Sequence, residues 1–231
     1  GIRIACDVYP YTAGSTQLVH VLPPECQQGG LEALTRNLAD ASFREMLKNR
    51  MLTGSDFENI SLLVGFENIV VSSVPQDGLF DLLQAAHCDV TMIDFITDEA
   101  DIDAILRDAH SCVISDSTYP TTGMLHPRVY GTFTTLLEHF VREKHVLSVE
   151  AAVQKCTGRP AAVMGLRQKG VLAPGMDADV NIFNLAQIHT RATYQQPAQF
   201  SSGMDAVFLN GKAAILHGEL TGDANGAVLR R

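Results

Sequence analysis

Up to about Gly170, this 231-residue chain alternates between short apolar runs and amphipathic stretches. The apolar runs are rich in β-branched residues, and the stretches between them carry apolar residues at helical spacing. This alternation is typical of α/β folds, in which helices connect the strands of a parallel sheet. The predicted strands are Ile2–Val8, Ile69–Val74, Val90–Ile96 and Ser111–Ser115, and the predicted helices are Leu31–Met51, Leu79–Ala86, Asp98–Arg107, Leu136–Lys144 and Ser148–Cys156.

Two local patterns refine this prediction near the start of the chain. The segment Tyr9–Thr16 contains a proline, a glycine and several hydroxyls, which predicts a loop. Ser42 followed by Glu45 has the spacing of a capping box. We therefore expect a helix boundary at Ser42 that divides Leu31–Met51 into two helices.

The pattern changes after Gly170 to short strands separated by tight turns. The dipeptide Asn210-Gly211 is a strong hairpin signal. We predict a first domain over residues 1–168, mainly α/β, and a β-rich module over residues 169–231, with the boundary near Leu166–Gly170.

Charge and hydropathy exclude two classes of partner. The formal net charge is −9 and the sequence pI is about 5.3. Without a run of Lys or Arg, such a chain is a poor ligand for a phosphate backbone, so we predict no nucleic-acid partner. No stretch approaches the roughly 20 apolar residues that span a bilayer, and we predict no membrane partner.

The cysteines indicate a compartment. Five cysteines are dispersed through the chain without a CxxC pair. An odd, scattered set argues against a disulfide framework and for a reducing environment. We predict a cytoplasmic protein.

Asp116 is the first candidate for chemistry. It follows a short buried strand and opens a loop that contains Gly and Pro. In a β/α barrel, the carboxyl ends of the strands form the face that carries catalytic groups. A carboxylate there can act as a general base or a metal ligand. The alternative, that Asp116 caps the following turn, has equal support from spacing alone.

His126-Pro127-Arg128 stands at the far end of the same loop. The guanidinium of Arg128 is a natural fork for a substrate carboxylate. Its alternative role is an ion pair with an acid of the protein. A lone histidine before proline is more often a hydrogen-bond partner within a turn than a metal ligand, which is the interpretation we favour for His126.

Tyr9, Tyr11 and Ser15 follow the first strand, and their hydroxyls could hold an oxyanion or a substrate carbonyl. A packed aromatic corner is the simpler interpretation of the two tyrosines. The other histidines form no HxH, HExxH or HxxxH pair, and there is no Walker loop, GxGxxG or GxSxG motif. Nucleotide binding and serine-hydrolase chemistry are therefore disfavoured.

Several segments together resemble the D-aminoacylases, or N-acyl-D-amino-acid deacylases, of the amidohydrolase superfamily. The resemblance covers nearly the whole chain, and the first two segments are the more specific to the deacylases. The segments are DVYPYTAGST (Asp7–Thr16), SDSTYPTTGMLHPRVYGTF (Ser115–Phe133), VREKHVLSVEAAVQKCTGRPAAVMGL (Val141–Leu166), and GVLAPGMDADVNIFN (Gly170–Asn184) with LNGKAAILHGELTG (Leu209–Gly222).

The resemblance implies the C-terminal part of a (β/α)8 barrel with zinc at its mouth, plus part of a small β-sandwich. It implies that residues of about 23–73 form an insertion. Asp116 matches the aspartate that moves the proton of the attacking water, and it is also the candidate metal ligand. Tyr9 and Ser15 match residues that contact the substrate, and Arg128 matches the arginine that faces its carboxylate. The usual glycine after the aspartate is Ser117 here.

The resemblance also points to what these residues lack. The family's HxH motif and its further metal ligands lie upstream of the segment that begins at Asp7. The chain begins at Gly1 and enters an apolar run at once, so we expect it to be part of a longer protein, a trimmed terminus being the alternative. We expect a partner in the upstream half of the same protein, or in further copies of this chain, because half a barrel leaves unpaired strand edges.

Three functions remain. The first is zinc-dependent hydrolysis of N-acyl-D-amino acids, small-molecule substrates, with Asp116 as base and then acid. The second is another amidohydrolase activity, of the dihydroorotase or hydantoinase type. The third is a non-catalytic α/β module that keeps the scaffold. Metal content discriminates the two hydrolases from the non-catalytic module.

Overall fold

The computed structural model describes residues 4–71, 78–222 and 224–229. The described chain divides into two compact units. The first comprises residues up to Tyr11, Glu99–Ser117 and the chain from Pro127 onward, and the second comprises Thr12–Asp98 and Thr118–His126. These units do not coincide with the domain limits 1–168 and 169–231, which stay a prediction.

The first unit begins with a pair of parallel strands, β1 (Cys6–Val8) and β5 (Ser111–Val113). The pairing sets Cys6 opposite Ser111 and Val8 opposite Val113. Both strands were predicted; β5 is shorter than its apolar run, β1 excludes Ile4 and Ala5, and Ile2 and Arg3 lie outside the described residues. Val8 and Val113 belong to a buried cluster formed with residues of the helices and of one turn between them, whose other members are Ile102, Leu106, Leu136, Phe140, Val141, Val146 and Ala152.

Three helices of the first unit lie close to their predicted positions, whereas the helices over Arg128–Thr135 and Gly158–Met164 were not predicted. Ser148 is the N-cap of one of the three, and its hydroxyl accepts a hydrogen bond from the Ala151 amide at 3.2 Å. The predicted helix Leu136–Lys144 is a π-helix over Leu136–Glu143. The α-helices are α5 (Glu99–Arg107), α6 (Arg128–Thr135), α7 (Val149–Cys156) and α8 (Gly158–Met164).

A four-stranded antiparallel sheet completes the first unit. Its strands are hydrogen-bonded in chain order, β6 (Val180–Phe183), β7 (Met204–Leu209), β8 (Lys212–Leu216) and β9 (Glu219–Leu220). The predicted hairpin at Asn210-Gly211 joins β7 to β8, and both residues have positive φ, of 51° and 75°.

The second unit contains a three-stranded antiparallel sheet of order β2–β4–β3, with strands β2 (Ala13–Gln17), β3 (Ile69–Val70) and β4 (Thr91–Phe95). Two predictions are wrong here. The segment predicted as a loop, Tyr9–Thr16, contributes most of β2, and these three strands are not parallel. Backbone hydrogen bonds to the buried strand β4 stabilise β2 as a strand, although the residues of β2 have little local strand propensity.

The helices of the second unit are α1 (Gly30–Asn37), α2 (Ala41–Thr53), α3 (Ile60–Val64) and α4 (Leu79–Ala85). The predicted division of residues 31–51 is confirmed, but the predicted cap is wrong. Asp40 is the N-cap of α2, and its carboxylate accepts from the amides of Ser42 at 2.7 Å and Phe43 at 3.3 Å. A carboxylate suits the positive end of a helix better than a hydroxyl does.

The mixed α/β character of the chain is confirmed. Part of the strand predicted over Ile69–Val74 lies outside the described residues. Within the described chain, no helix combines the length and the apolar character needed to cross a membrane.

Candidate functional site

Asp116 lies just beyond β5, three residues after its last residue, Val113. The ladder continues one step past the strand, where the Ile114 amide donates to the Val8 carbonyl at 3.0 Å. Asp116 itself has a φ of +47°, in the left-handed region that non-glycine residues adopt at a cost. Its side chain is 55% exposed. A half-exposed carboxylate on a constrained backbone is thus available to a reactant.

Arg128 is the first residue of α6, and its side chain is only 2% exposed. Its Nη2 lies 3.0 Å from Asp116 Oδ2. The guanidinium carbon also lies 4.7 Å from the centroid of the Tyr9 ring, within the range of a cation–π contact. The structure therefore brings together three of the predicted site residues, with Arg128 between the carboxylate and the aromatic ring.

A second connection joins the two ends of the loop. The hydroxyl of Ser117 donates to the backbone carbonyl of Arg128 at 3.3 Å. The Thr132 hydroxyl donates to the same carbonyl at 2.7 Å, from the next turn of α6. Ser117 is thus tied to the start of α6.

Two further tyrosines belong to this region of the first unit. The Tyr11 hydroxyl lies 2.9 Å from the Thr135 hydroxyl, and burial raises the pKa of Tyr11. Burial, followed by the proximity of Tyr11 and Tyr9, raises the pKa of Tyr194 as well, against the opposite influence of Arg128. Sequence reasoning missed Tyr194, since no motif surrounds it and only tertiary structure brings it near Arg128.

Gly131 has a packing reason to be glycine. A Cβ at this position in α6 would lie 2.7 Å from the Tyr11 hydroxyl and 2.8 Å from Cγ2 of Thr190. The absence of a side chain lets the helix approach these two groups. The glycine of the HPRVYGTF segment therefore serves the close packing around Tyr11.

Ser15 belongs to the second unit, where it lies in β2 opposite Ile93 and is half-buried. In the same unit, His126 is 2% exposed, and its Nε2 lies 3.0 Å from the Ala13 carbonyl oxygen. Such a bond to the backbone agrees with a role for His126 within the loop and not as a ligand.

The described residues do not form a metal site. Over residues 4–71, 78–222 and 224–229, there is no group of three or more His, Cys, Asp or Glu side chains that could hold a metal ion. Asp116, the one predicted ligand, has Arg128 as its neighbour. The residues present therefore do not by themselves fit the zinc that the family resemblance implies.

Comparison with known proteins identifies relatives over most of the chain. The N-acyl-D-aspartate deacylase of Alcaligenes xylosoxydans xylosoxydans is 31% identical over 222 residues, which are 95% of this chain and 39% of the relative. This chain therefore spans about two fifths of the length of that relative.

Solved structures of deacylases resemble this one. The crystal structure of a D-aminoacylase matches with a TM-score of 0.67 at 27% identity, over 98% of this chain and 43% of the other. An N-acyl-D-glutamate deacylase from Bordetella bronchiseptica, complexed with zinc and a phosphonate that mimics the tetrahedral intermediate, matches with a TM-score of 0.65 at 25% identity, over 98% and 42%.

A family model described as the amidohydrolase family matches residues 83–215, more than half of the chain. The matched range includes β4, β5, α6 and the carboxylate–guanidinium pair of Asp116 and Arg128. This match, together with a deacylase relative that is 31% identical over 95% of the chain, shows that the chain belongs to the amidohydrolase family.

Proposed function

We propose that the protein to which this chain belongs is a metal-dependent hydrolase that removes the acyl group from N-acyl-D-amino acids. The observation that carries the proposal is the grouping of Tyr9, Asp116 and Arg128 at the carboxyl end of the β1–β5 pair. The deacylase relatives supply the substrate class.

In the proposed reaction, water attacks the acyl carbonyl, the amide C–N bond breaks, and a carboxylate and a free amine leave. Asp116 takes the proton of the attacking water and gives it to the departing nitrogen. Its half-exposed position suits a group that must contact both the attacking water and the departing nitrogen. This proton transfer is the step that we assign to this chain.

The substrate contacts that we propose come from three residues. Arg128 faces the α-carboxylate, for which a planar guanidinium is well matched. Tyr9 and Ser15 offer hydroxyl donors to the substrate.

We propose that zinc is the metal and that its ligands lie mainly outside the described residues. The bacterial N-acyl-D-glutamate deacylase of similar structure is complexed with zinc. We place the missing ligands in an upstream half of the same protein, with further copies of this chain as the alternative. In this proposal, residues 1–168 form late strands and helices of a barrel, with an insertion at about 23–73. Residues 169–231 form part of a β-sandwich. The whole enzyme is cytoplasmic.

The experiment assays the chain alone and together with the upstream segment. Each sample is given N-acetyl-D-amino acids, the matching L-enantiomers and dihydroorotate, and its zinc content is measured. We expect the isolated chain to bind zinc poorly and to hydrolyse nothing, while the complete protein holds zinc and hydrolyses only the D-series. Turnover of dihydroorotate alone would favour the cyclic-amide alternative. A zinc-loaded, active monomer of the isolated chain would contradict the proposed division of the site.

A further inference from the structure

We infer that Arg128 is a positioning residue for Asp116, in addition to any contact with the substrate. The inference rests on the proposed function, because it assigns a role in orienting the proposed base. It is carried by the ion pair of 3.0 Å between Arg128 Nη2 and Asp116 Oδ2 and by the unequal burial of its two members.

The unequal burial identifies which side chain of the ion pair fixes the position of the other. Arg128 is 2% exposed and Asp116 is 55% exposed. The guanidinium begins on α6 and packs beside the ring of Tyr9 at 4.7 Å. Arg128 is therefore the fixed member, set behind the carboxylate, and Asp116 is the member that faces outward.

The backbone conformation of Asp116 needs support from neighbouring residues. A φ of +47° costs free energy for a residue with a Cβ and persists only where the surroundings impose it. Two contacts join this point to Arg128: the ion pair and the bond from the Ser117 hydroxyl to the Arg128 carbonyl at 3.3 Å. Together they fix both the carboxylate and the residue that follows it.

The position of the base matters because the rate of proton transfer depends on its reach to the attacking water. A misplacement of about 1 Å can reduce a rate by about 100-fold. A lysine at 128 keeps the positive charge but lacks the planar fork that sets the direction of the bond. It should therefore hold Asp116 less well, and turnover should fall even when substrate saturates the enzyme.

The test compares Arg128→Lys with the unmodified protein, both metal-loaded and at full length. The substrates are an N-acetyl-D-amino acid and its primary amide, which lacks the α-carboxylate. If Arg128 positions Asp116, kcat on the acid should fall at least about tenfold at saturation, and any turnover of the amide should fall by a similar factor. Arg167→Lys, at an exposed arginine of the same unit, is the matched control and should change neither.

Ser117→Ala keeps the ion pair and removes the second contact, together with a longer one of 3.5 Å to the Ser115 carbonyl, so it serves if Arg128→Lys does not fold. We expect it to lower kcat about twofold to fivefold with little change in KM, because one neutral hydrogen bond is lost. A kcat that stays unchanged in both variants, with only KM for the acid raised by Arg128→Lys, would overturn the positioning role and leave the proposed function standing. Failure of the unmodified enzyme to hydrolyse the acid would overturn both.

Discussion

Replacing Asp116 with asparagine should remove most of the turnover of the complete enzyme and little of its stability. Asparagine has nearly the same shape and tolerates left-handed backbone well, so the φ of +47° can remain. The acid–base group is lost, which commonly costs about 100-fold or more in rate. A factor of 100 corresponds to about 2.7 kcal/mol of lost transition-state stabilisation.

The stability change should be smaller, because the ion pair that is lost is screened. Asp116 is 55% exposed, and pairs that water reaches contribute about 0–1 kcal/mol. The side-chain carbonyl that Asp116→Asn introduces can still accept a hydrogen bond from Arg128, so the buried guanidinium keeps a polar neighbour. The free energy of unfolding should therefore fall by about 1 kcal/mol or less, well below the kinetic loss.

The assay combines steady-state deacylation with urea unfolding and metal analysis of the same samples. Zinc content should be nearly unchanged, since the proposed ligands lie mainly elsewhere. Asp205→Asn, at an exposed aspartate of β7, is the matched control and should alter neither rate nor stability. Activity retained within about threefold would refute the role of Asp116 as the base, as would a stability loss large enough to explain the rate.

Two further predictions concern buried titratable groups. Burial raises the pKa of Tyr11 and Tyr194, so at least these two of the five tyrosines should stay protonated in the folded protein at a pH where all ionise in the unfolded chain. Because the folded pKa lies above the unfolded value, the contribution of these two protonated hydroxyls to the free energy of unfolding is complete below about pH 10 and is lost as pH rises further. An ultraviolet titration with and without urea measures the difference between the folded and unfolded pKa values, and identical curves would contradict the prediction. Lys155 is 5% exposed and donates from Nζ to the Asp108 carbonyl at 2.5 Å and to the Ser111 hydroxyl at 2.7 Å. Lys155→Met should lower the free energy of unfolding by about 1–3 kcal/mol, whereas Lys212→Met at an exposed site should have almost no effect in the same denaturant titration.

The sequence predicted the elements whose signals are local. The continuous apolar runs before Asp116 and before Tyr9 correspond to β5 and β1, and the Asn210-Gly211 turn is where the dipeptide indicated it. Each of these rests on a few adjacent residues, so no distant partner was needed to recognise it.

The failures at β2 and Tyr194 fall where a distant partner decides the structure. The residues Ala13–Gln17 contain glycine and small hydroxyl side chains, which favour a loop, yet five register pairs with β4 make them a strand. Local competition explains the cap of α2: Asp40 lies two residues before Ser42 and offers a carboxylate, which two amides share. Tyr194 approaches Arg128 only through tertiary folding, so no spacing rule could have selected it.

The sequence left two alternatives for each member of the central pair: Asp116 as base or turn cap, and Arg128 as reader of a substrate carboxylate or partner of a protein acid. The contact at 3.0 Å realises the second alternative for Arg128 without excluding the first, because a guanidinium has five N–H donors in a planar fork. The same guanidinium could then orient the base and receive the substrate. In that case, the costs of Asp116→Asn and Arg128→Lys should not add, since each removes one end of a shared contact. A double variant that loses about as much rate as Asp116→Asn alone would demonstrate this dependence, whereas additive losses would mean that the two residues act separately.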